Sequence, residues 1–176
     1  SQRRRNQSLA RGNQPLQSLN INLDSLAKSN QPGAAARAQE LLHRIEALHQ
    51  EGYYAVAPDI VSLNSVLNAW ANSDEQDAAE KALELLFGEE TMLEPNVVSF
   101  NTILLAFAKR GAATEAHDLL HRMKSDYHVQ PDTISYNSLL YGYAQANQPE
   151  QAETVLKEMM QLSTNNPDIK PDSISF

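Results

Sequence analysis

The feature that most constrains this chain is that it repeats itself. Val97-Val98-Ser99-Phe100-Asn101 returns as Thr133-Ile134-Ser135-Tyr136-Asn137 and as Ile60-Val61-Ser62-Leu63-Asn64. A fainter copy is Leu16-Gln17-Ser18-Leu19-Asn20, and Ser173-Ile174-Ser175-Phe176 opens another. The asparagines stand 44, 37 and 36 residues apart. A second marker, Pro followed by Asp or Asn, falls at Pro58-Asp59, Pro95-Asn96, Pro131-Asp132 and Pro171-Asp172, spaced by 37, 36 and 40. Two markers that keep step through four copies point to structural units stacked in a line rather than to one globular core.

Each unit reads as two helices. In 97–132 the first carries apolar Val98, Ile103, Leu104, Phe107 and Ala108 and is expected to end at Gly111, a residue suited to a helix terminus. The second begins near Thr114 and places Ala116, Leu119, Leu120 and Met123 on one face, three and four residues apart. Its counterparts are Ala38/Leu41/Leu42/Ile45, Ala82/Leu85/Leu86 and Ala152/Val155/Leu156/Met159. The recurring Ala lets a neighbouring helix approach closely. Gly88 follows the second unit's apolar face and predicts an early break there. Between units Pro stops the chain, and the next Asp or Asn can cap the following helix. Such hairpins have too little core to fold alone, so the expected fold is all-α, an α-solenoid of helix-turn-helix repeats. Its expected parts are a tail over 1–15, a degenerate repeat over 16–59, repeats over 60–96, 97–132 and 133–172, and the start of a fifth at 173–176.

These residues resemble the pentatricopeptide repeats. That family's consensus opens Val-Thr-Tyr-Asn-Thr-Leu-Ile, passes a Gly-containing turn to Glu-Ala-x-x-Leu-Phe-x-x-Met, and closes Lys-Pro-Asp. Ser99-Phe100-Asn101-Thr102-Ile103-Leu104, Glu115-Ala116, Leu119-Leu120, Met123 and Pro131-Asp132 follow it. So do Ser135-Tyr136-Asn137-Ser138-Leu139-Leu140, Ala152, Met159 and Lys170-Pro171-Asp172. The resemblance covers about residues 16–176. It implies a right-handed α-solenoid and binding of single-stranded RNA, one base per repeat, in organellar RNA processing, stability or translation, in a mitochondrion or plastid.

Asn is a poor helix former, yet it recurs in the first turn of every first helix. An amide offers a donor and an acceptor, which suits a base edge. The resemblance implies base-reading pairs Asn20/Asp59, Asn64/Asn96, Asn101/Asp132 and Asn137/Asp172, and the family's pairing rule turns these into U-pyrimidine-U-U, with the 5′ end at the N-terminal unit. Val61, Val98, Ile134 and Ile174, each three residues before its Asn position, would wedge between successive bases. The first unit departs here with Gln17. Lys28 and Lys109 fall where the family places a phosphate-contacting Lys, while the other two units have Asn72 and Gln145. A purely structural role stays open for each residue alone: Asp after Pro caps helices, Asn near a helix start satisfies backbone N–H groups, and Lys near a helix end suits the dipole.

Charge runs against RNA binding. The chain carries a net −8, and Arg3, Arg4, Arg5 and Arg11 are four of its fourteen basic residues. From residue 16 onward ten Lys/Arg face twenty-two Asp/Glu, a net −12, so long-range attraction to phosphate is absent or reversed. Weak RNA binding is expected, with stacking of about 1–3 kcal/mol per base opposing that charge. The rival is a tetratricopeptide-like scaffold whose acidic groove binds a basic peptide or partner. A third role is the substrate-binding arm of a protein-only tRNA-processing nuclease, which needs a carboxylate metal domain beyond these residues.

Little else carries chemistry. There is no Cys, hence no disulfide, thiolate zinc site or Cys nucleophile. His117 and His121 have metal-ligand spacing but lack the glutamate of a zinc-protease motif. Glu89-Glu90 and Asp74-Glu75 read as solvated charges. Neither a Gly-rich phosphate loop nor a nucleophile elbow occurs. The chain is therefore expected to be no enzyme and to need no cofactor or metal. The Arg- and Ser-bearing tail fits a linker, a phosphate-touching arm or a targeting stretch. The first residue is Ser, which points to a piece of a longer protein.

Overall fold

A computed structural model describes residues 21–26, 28–29, 31–53, 57–88 and 91–175. The expectations for the tail, Gln17, Asn20, Glu89-Glu90 and Phe176 fall outside the described residues. The chain divides into two compact units, Ser1–Glu94 and Pro95–Phe176.

In the first unit residues 21–26 are helical, followed by α1 (Ala34–Gln50), α2 (Ile60–Ala71) and α3 (Ala78–Phe87). α2 packs against both α1 and α3. Ala38, Leu42 and Ile45 of α1 meet Leu63, Val66, Leu67 and Trp70 of α2, all buried, because their spacing puts them on one helix face. Trp70 Nε1 donates to Gln39 Oε1 at 2.6 Å, and Lys81 Nζ lies 4.8 Å from the Trp70 ring centre. α3 stops at Phe87 with Gly88 in extended conformation, the early break that a glycine there predicts. The chain beyond is tied back to α1: Glu46 Oε1 accepts from the Thr91 hydroxyl at 2.9 Å and from the Met92 N–H at 3.3 Å.

The second unit contains α4 (Val97–Lys109), α5 (Ala113–Ser125), α6 (Thr133–Gln145) and α7 (Pro149–Leu162). α4 packs against α5 and α6, and α6 also packs against α5 and α7. Two hairpins thus lie side by side, with Phe100, Ile103, Leu104, Ala116, Met123, Tyr136 and Leu139 enclosed between them. α4 ends just before Gly111, whose φ of 69° is the left-handed conformation that closes helices at little cost only for glycine. Gly142 of α6 lets the two first helices approach: a Cβ there would meet Ala108 Cα of α4 at 3.3 Å. A part-buried polar cluster joins three helices, with Lys124 Nζ donating to Tyr136 Oη at 2.7 Å and Tyr136 Oη to Glu158 Oε1 at 3.0 Å. Burial, then the Glu158 carboxylate, raises the Tyr136 pKa, so the phenol stays protonated and donates.

The loop after α7 folds back on the start of α6. The Thr133 N–H and hydroxyl donate to Asp168 O at 2.9 and 3.0 Å, and the Lys170 N–H donates to Thr133 Oγ1 at 2.8 Å. The residues that lengthen this period to 40 thus form a clamp.

Candidate functional site

α2, α4 and α6 start in the same way. Asp59, Asn96 and Asp132 are extended N-caps whose side-chain Oδ1 accepts the N–H of Ser62, Ser99 and Ser135 at 2.9, 3.1 and 2.9 Å. Each serine Oγ in turn accepts the cap's own N–H. This reciprocal box satisfies donors that a helix start otherwise leaves unpaired. The structural role open to Asp after Pro is therefore real.

In the second unit the same carboxylate does more. Asn101 Nδ2 donates to Asp132 Oδ1 at 3.0 Å, and the Ser135 hydroxyl donates to Asn101 Oδ1 at 2.6 Å. The arrangement recurs one period on: Asn137 Nδ2 donates to Asp172 Oδ1 at 3.1 Å, and the Ser175 hydroxyl to Asn137 Oδ1 at 2.6 Å. Both expected pairs are thus brought together by direct hydrogen bonds. Asn101, Asp132 and Asn137 are half-buried and Asp172 is exposed. A primary amide has two donors and two lone pairs; one of each is engaged, leaving one N–H and one lone pair on each asparagine. Oδ2 of Asp132 and of Asp172 accepts no hydrogen bond among the described residues. The Ile174 N–H at 2.9 Å, then the Asn137 amide and Ser175, hold the Asp172 carboxyl below its ordinary range against a desolvation that pushes it up. Each pair therefore presents a fixed donor beside a fixed acceptor.

Large apolar side chains stand exposed beside these pairs. Val98 is 52% exposed, Ile134 60% and Ile174 74%, and Val61 on α2 is exposed in the same way. Soluble proteins rarely repeat such exposure at one helix position without a use for it. One turn beyond Asn101 and Asn137 stand Leu105 and Tyr141, also exposed, which the sequence comparison did not single out. Their signal is the apolar residue four places after each Asn, with Asn68 at the matching place in α2.

The remaining expected residues are distributed as follows. Asn64 is half-buried on α2 in the first unit, and its expected partner Asn96 caps α4 in the second. Asp59 caps α2, and its partner Asn20 lies outside the described residues. Lys109 is exposed in the last turn of α4. Lys28 is exposed and pairs with Asp24 at 2.6 Å, an i,i+4 surface pair of small value. Asn72 closes α2 by donating to Asn68 O at 2.9 Å, and Gln145 is the exposed last residue of α6. His117 Nδ1 lies 2.6 Å from Tyr143 Oη. Among the described residues no group of three His, Asp or Glu could hold a metal ion, and no helix is long and apolar enough to cross a membrane.

Tandem helical hairpins, each opened by one cap and carrying one asparagine as the fifth residue of its first helix, define an α-helical repeat protein. The PPR repeat model matches residues 98–128 and 134–163, and the pentatricopeptide repeat domain model matches residues 53–110. Together they cover more than half of the chain, which belongs to the pentatricopeptide repeat family. Among solved structures it is similar to the pentatricopeptide repeat protein PPR10 from maize, with 27% identity over 94% of this chain and a TM-score of 0.68. It is similar to PPR10 in complex with an 18-nt psaJ RNA element at 24% identity over 89% of this chain and a TM-score of 0.67. The PPR domain of Arabidopsis thaliana protein-only RNase P 1 in complex with tRNA matches at 14% identity over 89% of this chain and 74% of its own, with a TM-score of 0.61. The chain spans about a fifth of the PPR10 chain, covering 22% and 21% of it in the two PPR10 structures. A comparison with curated protein sequences found no match.

Proposed function

We propose that this chain is a non-catalytic RNA-binding module that reads single-stranded RNA one base per repeat, through the four repeats bounded at 16–59, 60–96, 97–132 and 133–172. The observation that carries this is the doubled set Asn101–Asp132 and Asn137–Asp172, each a fixed donor beside a fixed acceptor next to an exposed apolar side chain. The free amide N–H fits a pyrimidine carbonyl, and the free carboxylate oxygen fits the N3–H of uracil. Asn101/Asp132 and Asn137/Asp172 therefore select U, and the family's pairing rule assigns U to Asn20/Asp59 and either pyrimidine to Asn64/Asn96. Val61, Val98, Ile134 and Ile174 separate the bases by stacking, and Lys109 and Lys28 neutralise phosphates. PPR10 crystallised with an RNA element supports the same use here. Membership of the family supports a setting in a mitochondrion or plastid, in RNA processing, stability or translation.

The test is a binding titration with oligo(U) and oligo(A). Wild-type protein is expected to prefer U, and Asn137→Ala with Asp172→Ala to lose discrimination at one position. Unchanged base preference in that double variant overturns the assignment. Indifference to both oligomers with capture of a basic peptide favours the protein-binding scaffold, to which the acidic net charge of the body is better suited.

A further inference from the structure

We propose that Ser135 and Ser175 are positioning residues that set which edge of Asn101 and Asn137 faces the base; this rests on the RNA-binding assignment above. A hydroxyl has one proton to give. Ser135 Oγ accepts the Asp132 N–H at 3.1 Å, so its proton goes to one of two acceptors: Asn101 Oδ1 at 2.6 Å or Asp132 Oδ1 at 3.0 Å. Asp132 Oδ1 already receives the Ser135 N–H and the Asn101 amide. The proton therefore belongs to Asn101. The same accounting holds for Ser175, whose Oγ accepts the Asp172 N–H at 3.0 Å and reaches Asn137 Oδ1 at 2.6 Å against 3.3 Å for Asp172 Oδ1.

A carboxamide turned by half a revolution exchanges its oxygen and its NH₂ at almost no cost in shape. Only its partners can tell the two orientations apart. Here they have opposite character: an acceptor-only carboxylate at the nitrogen and a hydroxyl donor at the oxygen. The turned amide would set oxygen against carboxylate and leave the serine proton without its carbonyl. Held as it is, the amide presents its second N–H outward on the nitrogen side and its second lone pair on the oxygen side. A base must match that order. Ser135 is thus both the third residue of a helix cap and a determinant of what the preceding repeat can bind.

Two measurements separate this role from simple helix capping. The first is water exchange of the asparagine side-chain NH₂ protons, followed by NMR without RNA. Ser135→Ala is expected to speed exchange at Asn101 by about three- to tenfold, the span of one hydrogen bond, and to leave Asn137 unchanged. Ser175→Ala reverses the pattern, and Ser135→Thr, which keeps the hydroxyl, behaves as wild type. Ser175 lies in a turn and caps no described helix, so its variant remains informative if Ser135→Ala weakens α6. The second is the U-over-A preference at single positions of a short RNA, expected to fall by a similar factor opposite Asn101 in Ser135→Ala and opposite Asn137 in Ser175→Ala. Unchanged exchange at the matching asparagine in a folded alanine variant overturns the proposal. Wild-type protein with no base preference overturns RNA reading instead, and the exchange rates then still decide the role of the serines.

Discussion

At Asp172 one carboxylate oxygen collects the Ile174 N–H, the Ser175 N–H and the Asn137 amide, and this bears on titration as well as on recognition. The folded pKa lies below that of an ordinary aspartate, so the group's favourable contribution is complete above the unfolded value and is lost as pH falls through the folded one. A ¹³C-carboxyl NMR titration is expected to place the Asp172 midpoint below that of an ordinary aspartate. Asn137→Ala should raise that midpoint without restoring it, because the Ile174 N–H is the larger cause and remains. A midpoint indifferent to Asn137→Ala would contradict the pairing itself. Repetition made the recurring Asn and Asp positions legible in the sequence, and the resemblance to the family implied which Asn goes with which Asp. The serine was not legible as their partner. It stands in every copy of the motif, but its hydroxyl acts on an asparagine 34 residues earlier, at Asn101 and Ser135, and only packing brings the two together.

Among the helices, the ends were legible and the crossings were not. Pro followed by Asp or Asn places the starts of α2, α4 and α6, since the cap chemistry is local. Gly111 and Gly88 likewise mark where α4 and α3 stop. α5 begins at Ala113, one residue before Thr114, a difference within the fraying of any helix end. The contact between Gly142 and Ala108 could not be read, because nothing in a linear pattern says which helix faces a given glycine. Gly142→Val is expected to destabilise by about 1–3 kcal/mol through overpacking against the α4 backbone, visible as a lower Tm in thermal unfolding. Gly111→Ala is expected to cost about 1 kcal/mol, since a Cβ is strained in the left-handed region. At Gly111, chemical denaturation should show a lower midpoint with an unchanged slope.

For the molecule as a whole, charge sets the terms on which RNA can be held. The body carries twenty-two acids, and of the two lysines proposed for phosphate, Lys28 is already paired with Asp24. Each phosphate neutralised on a single strand contributes about −0.7 to the slope of log affinity against log salt. Two lysines therefore predict a slope of about −1.4 for oligo(U), and Lys109→Ala is expected to bring it to about −0.7. A much steeper slope would mean that other cations, such as those of the tail, meet the strand. Under the proposed function, base discrimination comes from contact chemistry at the asparagines rather than from electrostatic attraction.

The Asn101–Asp132–Ser135 set joins the first helix of one hairpin to the cap of the next, and this dictates where such an array can be cut and respliced. Shuffling modules at the Pro131 punctuation would graft a foreign aspartate and hydroxyl onto a resident amide, rewriting the proposed letter at the seam along with those inside the insert. A cassette running from one motif asparagine through the serine 34 positions later, as from Asn101 to Ser135, carries its whole letter with it.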